Sequence, residues 1–223
     1  LSLTNFEIAF SKAPFARYFL NSVIVMVCSV TITTFTTILG AFAFSRLKFP
    51  GRDTLFSLLL SLMMIPFEML IITNYSTIVK MGLIDTLAAL IIPFTTSIFY
   101  TYILRNFFLS VPDSLYYSAR VDGAGNWTYL WRIMVPIAKP ALVTIGLLNA
   151  ITCWNSFLWS VLVTNSTEVR TLPFGLYAFM TSSGIRYERL MAAATIVVVP
   201  MIILFIFCRK SIVTGVSRGG LKG

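Results

Sequence analysis

Five stretches of the chain stay apolar for longer than a soluble helix or strand requires, at about residues 19–45, 54–73, 86–108, 137–163 and 190–208. A helix crossing the roughly 30 Å hydrocarbon core of a bilayer needs about 20 such residues. A barrel strand needs about half that number and alternates apolar with polar residues, and none of the five stretches alternates. Backbone amides in hydrocarbon must find partners within their own segment, which a helix supplies. The sequence therefore predicts an all-α, polytopic membrane helical bundle with five spans, read as one domain over residues 1–223. A soluble alternative fails on composition: charged residues are 11% of the chain, against about 25% in a typical soluble domain.

The net charge of +9 belongs to this picture. Basic residues gather on the cytoplasmic side of membrane spans. One set of connections holds Arg46, Lys48, Arg52, Arg105, Arg120, Arg132, Lys139, Arg209, Lys210, Arg218 and Lys222. The other holds Lys12, Arg17, Lys80, Arg170, Arg186 and Arg189. The richer set is expected in the cytoplasm, which puts the start of the chain outside and its end inside. The chain begins at Leu1 rather than Met, so a sixth span upstream in a longer protein is expected. No basic stripe with interleaved aromatics is present, so no nucleic-acid partner is expected. There is no histidine, and Cys28, Cys153 and Cys208 are scattered through apolar stretches. Imidazole metal sites, histidine-assisted nucleophiles and a disulfide framework are thereby removed.

Residues 109–136 form the one long connection with legible chemistry, LSVPDSLYYSARVDGAGNWTYLWRIMVP. Pro112 opens a new element, with Asp113 or Ser114 as its cap. A short helix follows over 115–121 and ends at Asp122-Gly123, since glycine accepts positive φ. A second helical piece runs from Asn126 into Met134. Small residues at Ser118, Ala119, Gly123 and Ala124 are expected to admit another protein close to the backbone, and Tyr116 and Tyr117 offer contacts of the kind enriched at interfaces.

Tyr117-Ser118-Ala119-Arg120-Val121-Asp122-Gly123-Ala124, followed by an apolar run to Pro136, resembles the "EAA" loop of bacterial ABC importer permeases, roughly E-A-A-x-x-D-G-A. Tyr117 stands where Glu is usual and Ser118 where Ala is usual, so the family's acidic contact to its ATPase is not carried over. The resemblance covers nearly the whole chain and lies nearest the carbohydrate branch, the maltose-type inner-membrane permeases. Phe42 to Phe49 with Gly51-Arg52 looks like its A-F-A-R-x-x-F-x-G-R turn, and Met64-Ile65-Pro66 like its M-x-P. Trp154 to Trp159 resembles its W-N-x-F-L-W, and Gly215 to Gly223 its glycine- and lysine-bearing terminus.

The resemblance implies a permease that pairs with a second, homologous permease above an ATP-binding-cassette ATPase dimer. ATP and Mg would act in that dimer, with no cofactor in this chain. An extracytoplasmic solute-binding protein would deliver a sugar or oligosaccharide, and a glycerol-phosphate-type solute is the alternative. Tyr117, Ser118, Ala119, Arg120, Asp122, Gly123 and Ala124 would couple to the ATPase, and the tail at Arg218, Gly219 and Lys222 (within residues 209–223) would reach toward it. The implied location is a bacterial or archaeal cytoplasmic membrane, crossed several times.

Polar residues inside spans are costly and normally face water or a partner. Glu68, two residues past Pro66, reads either as a lining residue of a solute path or as interfacial at an early helix end. Asn149, Trp154, Asn155 and Trp159 fall in the fourth stretch, with Asn155 and Trp159 expected on one helix face. Sugars bind through polar groups and aromatic faces; the competing reading is helix packing, with Asn as interhelical glue. Pro93 and Pro200 read as tolerated kinks, Pro66 as a hinge or gate. A secondary transporter would carry more ionisable residues in its spans, and neither a phosphate-binding GxxxxGK[ST] string nor a catalytic cluster points to an enzyme.

Overall fold

The computed structural model describes residues 14–181, 184–185 and 187–219 of the chain. Its helices are α1 (Phe15–Arg46), α2 (Arg52–Leu62), α3 (Phe67–Lys80), α4 (Leu87–Ile91), α5 (Ile98–Ser110), α6 (Asp113–Val121), α7 (Asn126–Ile137), α8 (Lys139–Trp154), α9 (Phe157–Val163) and α10 (Tyr187–Gly219). A two-residue ladder joins β1 (Met180–Thr181) to β2 (Gly184–Ile185). The helical class expected from the sequence holds.

The number of spans turns on how the helix breaks are counted. By length and composition, α1 and the Leu190–Phe207 part of α10 qualify as crossing helices among the described residues. Three bent pairs, α2 with α3, α4 with α5, and α7 with α8, bring the count to five only if each pair is one span. Two breaks follow proline chemistry. Ahead of Pro66 the helix tightens into three-residue bonds, from Met63, Met64 and Ile65 N–H to Leu60, Ser61 and Leu62 C=O, because proline disfavours helical conformation in the residue before it. Pro93 lies in a 3₁₀ turn over Ile92–Phe94, after which Ser97 restarts the chain by accepting from Tyr100 N–H at 3.3 Å. Pro200 instead sits inside continuous helix. The fourth stretch was expected to be continuous to 163, yet it breaks at Asn155-Ser156. Phe157 N–H donates to Asn155 C=O at 2.8 Å, and Ser156 has φ −72° and ψ 74°, an inverse γ-turn. The segment after 208 was expected as a tail, but its backbone continues α10 to Gly219.

Two compact units make up the chain. The first comprises residues 1–30, 67–94 and 148–207 and the second residues 31–66, 95–147 and 208–223. In the first unit, Phe15, Tyr18, Trp154, Leu172, Ala193 and Val197 form one core, and Val25, Ile78, Ala89, Leu90, Trp159 and Val163 another. Polar residues on α1 staple the extended chain beside them. Asn21 Nδ2 donates to Glu168 C=O at 2.7 Å and to Arg170 C=O at 2.9 Å, and Ser22 Oγ accepts from Leu172 N–H at 2.7 Å. Without such partners those carbonyls and amides would be stranded in apolar surroundings.

The second unit is built around Ile38, Ala41, Phe42, Tyr100, Leu104, Phe108, Tyr129, Leu130, Met134 and Ile145. Gly40 lets α1 and α5 approach closely: a Cβ there would stand 3.2 Å from Thr101 Cγ2. Many large apolar side chains remain exposed, among them Met64, Ile72 and Phe207 at 86%, 79% and 80%. Such surface is unfavourable in water and costs nothing against lipid tails.

Candidate functional site

The connection over residues 109–136 folds as α6, a bend, and α7, all within the second unit. Pro112 precedes α6 with extended backbone and no side-chain cap. The expectation that Asp113 or Ser114 caps the helix is therefore corrected: Asp113 is the first helical residue, and its carboxylate forms an ion pair with Arg46.

α6 ends in two characteristic bonds. Ala124 N–H donates to Ala119 C=O at 2.8 Å, and Gly123 N–H to Arg120 C=O at 3.1 Å. These are the paired 6→1 and 5→2 bonds of a Schellman motif, which needs a left-handed residue after the cap. Gly123 supplies it with φ 78°. Arg120 Nη1 reaches Ala124 C=O at 3.4 Å, Tyr116 OH donates to Asn126 Oδ1 at 2.9 Å, and the Tyr116 and Tyr129 rings meet edge to face at 5.0 Å. The bend is thus fixed by its own chemistry.

The faces of α6 are unequal. Tyr116 is half-buried and Ala119 buried against the second unit's core. Ala119 was expected to admit a partner; its methyl instead gives α6 its close seat on its own chain. The outward residues are Tyr117, Ser118, Val121, Asp122 and Gly123, with Val121 88% exposed. Beyond the bend, α7 passes through a π-helical turn at Leu130–Met134. At the ordinary 100° per residue, Tyr129 and Met134 would point about 140° apart. The wider turn lets Tyr129, Leu130, Met134 and Ala138 all be buried. α7 and α8 then meet at 78°.

The sequence reading missed two arginines it had counted only as charge. Arg46, 6% exposed in its side chain, pairs with Asp113 and donates through Nη2 to Phe108 C=O at 2.7 Å and Val111 C=O at 2.5 Å. Arg105 donates to Phe44 C=O at 3.0 Å and to Asp53 at 3.3 Å, and lies 4.3 Å over the Phe56 ring. The Phe42 to Arg52 string that carried the family resemblance held the only signal, since both acceptor sets lie far along the chain.

The solute-path residues fall in the first unit and do not form one face. Glu68 is exposed in the first turn of α3. Asn155 is exposed in the break between α8 and α9 and does not share a helix face with Trp159, because the γ-turn at Ser156 rotates α9 out of register. Trp154 and Trp159 are 3% and 2% exposed. Their indole N–H groups donate at 2.9 Å to Val197 C=O and Ala89 C=O, and Trp159 packs against Phe67 and Phe94. Asn149 is buried on α8, where its Oδ1 accepts from Cys153 Sγ at 3.3 Å. Arg218 and Gly219 lie in the last turn of α10, and Lys222 lies outside the described residues.

A helical membrane protein bearing a bent, partly apolar segment on one connection is the class these features define. The chain belongs to the family of binding-protein-dependent transport system inner membrane components, whose model matches residues 36–219. It is 33% identical to the arabinooligosaccharides transport system permease protein AraQ of Halalkalibacterium halodurans, over 100% of this chain and 80% of that protein. It is 30% identical to the sn-glycerol-3-phosphate transport system permease protein UgpE of Yersinia pestis, over 92% of this chain and 74% of that protein. Among solved structures, a chain of a bacterial ABC transporter involved in import of the acidic polysaccharide alginate superposes with a TM-score of 0.82 and 25% identity, covering 94% of this chain and 79% of that one. A further alginate ABC transporter structure, at 17% identity and TM-score 0.73, shares the fold. The chain is accordingly a membrane protein and a permease subunit of an ABC importer.

Proposed function

We propose that this chain forms one half of a solute path through a bacterial cytoplasmic membrane, crossing it several times, and imports a sugar or oligosaccharide handed over by an extracytoplasmic binding protein. The single domain read over residues 1–223 would act as one permease body, paired with a second, homologous permease. The observation that carries the reading is the Schellman bend at Asp122-Gly123, which holds the outward face of α6 in a fixed pose. That face, with Tyr117, Ser118, Arg120, Asp122 and Gly123, seats on a separate ATPase dimer where ATP and Mg are bound, with Ala124 at its edge, half-buried against its own core. Ala119 supports it from behind. The end of α10, with Arg218 and Gly219, and Lys222 beyond it, reaches toward the same dimer. A conformation of the permease favoured by the ATP-bound dimer is then populated at the expense of the other, which is all that coupling requires.

For the solute path we assign Glu68 and Asn155 as its exposed polar groups, with Asn149, Trp154 and Trp159 as buried residues of the same unit. Oligosaccharide is the first assignment because relatives named for arabinooligosaccharides match the whole chain. The UgpE likeness favours a glycerol-phosphate-type solute as the second. Purification of the chain from its native membrane tests the first part: an ATPase and a second permease should stay bound. Uptake of arabinotriose, maltotriose and glycerol 3-phosphate into vesicles holding that complex tests the second. Import that persists without ATP would rule the reading out.

A further inference from the structure

We infer that Arg46 is the positioning residue that fastens the coupling helix to the membrane helices, so that α6 moves as one body with α5 and the end of α1. The inference deepens the docking reading above and rests on it. It starts from the placement of one guanidinium. Arg46 is the last residue of α1. It binds three acceptors, one at the start of α6, one at the end of α5 and one on the link between them: the Asp113 carboxylate, Phe108 C=O and Val111 C=O. Phe108 C=O lies in the last turn of α5, where it accepts from Val111 N–H at 3.2 Å in a tightened turn and carries part of the negative charge of the helix end. Val111 C=O belongs to the extended residue between the two helices.

The planar fork of arginine satisfies several acceptors at once, which a lysine ammonium on its flexible stem does less well. Its side chain is 6% exposed, so its bonds to the two carbonyls are only weakly competed by water, whereas the Asp113 carboxylate, 75% exposed, stays largely hydrated and adds less. The Asp113–Val121 helix is short and carries most of its surface outward. A pull on it would flex the Val111-Pro112 link if nothing bridged that link. Arg46 spans it from the side, joining α5, the link and α6 through one guanidinium. Arg105 supplies the comparison. It holds α5 to Phe44 and Asp53 but makes no bond to α6.

Spin labels on Leu115→Cys in α6 and Phe99→Cys in α5 test this, in the complex with its ATPase and with Cys28, Cys153 and Cys208 replaced by serine. Both sites are exposed, at 41% and 46%, and neither belongs to the face assigned to the ATPase. The expected result is a narrow distance distribution that is the same with ATP-vanadate and with ADP. In Arg46→Ala and Asp113→Asn the distribution should broaden and become nucleotide-dependent, while ATP hydrolysis continues. Arg46→Lys should fall between, and Arg105→Gln should lower thermal stability yet leave the distance unchanged. If Arg46→Ala does not assemble, Asp113→Asn decides. A nucleotide-dependent distance in the wild type, an unchanged one in both Arg46→Ala and Asp113→Asn, or equal broadening in Arg105→Gln would overturn the inference. Loss of the ATPase from the wild-type complex would instead sink the docking reading beneath it.

Discussion

Asp85 shows how one residue can hold a connection in place. It has φ 62°, unusual for a side chain larger than glycine, although Asp and Asn tolerate this region better than other residues. Its carboxylate accepts from Ser166 N–H and Asn165 N–H, both at 2.8 Å, and its own N–H donates to Val163 C=O at 2.9 Å. The Ser166 and Asn165 amides hold its carboxyl below the ordinary value of 3.8. A carboxyl depressed in the folded state stabilises the protein above that value, and the contribution is lost as pH falls through the lower folded-state value. Asp85→Asn should therefore flatten the dependence of melting temperature on pH below about pH 4, where wild type loses stability. Asp85→Ala should melt lower than Asp85→Asn, because it loses both bonds and tolerates positive φ less well. Trp159 anchors through a single bond to Ala89 C=O. Trp159→Phe keeps most of the apolar contact and strands that carbonyl, which costs about 1–3 kcal/mol, so a melting shift of roughly 2–10 °C is expected in detergent.

Among the elements, α6 and its bend were the most legible in the sequence, for a physical reason. A left-handed residue after a helix strongly selects glycine, so Asp122-Gly123-Ala124 announces both the stop and the bend. Breaks at Pro66 and Pro93 are announced by proline in the same way. The break at Ser156 is not, since Asn and Ser occur freely inside membrane helices and only the local backbone reveals the γ-turn. Nor could the burial of Ala119 and of the Arg46 side chain, or the contacts of Arg105, be read, because each depends on partners brought from elsewhere in the chain. The bend makes a sharp prediction. A Cβ at Gly123 would meet nothing within 4 Å, so space is not the obstacle and conformation is. Gly123→Val should cost about 1–2 kcal/mol through left-handed backbone strain and relieve it by moving α6. Gly123→Asn should be tolerated. Measured as ATP hydrolysed per solute imported, the first should uncouple while still inserting, and equal coupling in both variants would show that the fixed bend is irrelevant.

At the scale of the molecule, sidedness decides whether the bend can meet an ATPase at all. The excess of Lys and Arg on the connections that include residues 109–136 is a property of the chain during insertion, before Arg46 and Arg105 find their partners, so their later packing does not weaken it. One apolar stretch, 137–163, separates the bend from the segment around Thr167, which places the two on opposite sides if that stretch crosses once. The breaks make this a real question, because α8 and α9 are separated at Ser156 and α9 has only seven residues. Single cysteines at Val121 and Thr167, both exposed and placed in a background free of the native three, settle it with an impermeant maleimide. Val121→Cys should react in inside-out vesicles stripped of the ATPase and be protected in intact cells, and Thr167→Cys should do the reverse. Labelling of both from one side would mean that the 137–163 stretch turns back within the bilayer. Labelling of Val121→Cys from outside would take α6 away from any cytoplasmic motor, and the family resemblance could not rescue the mechanism.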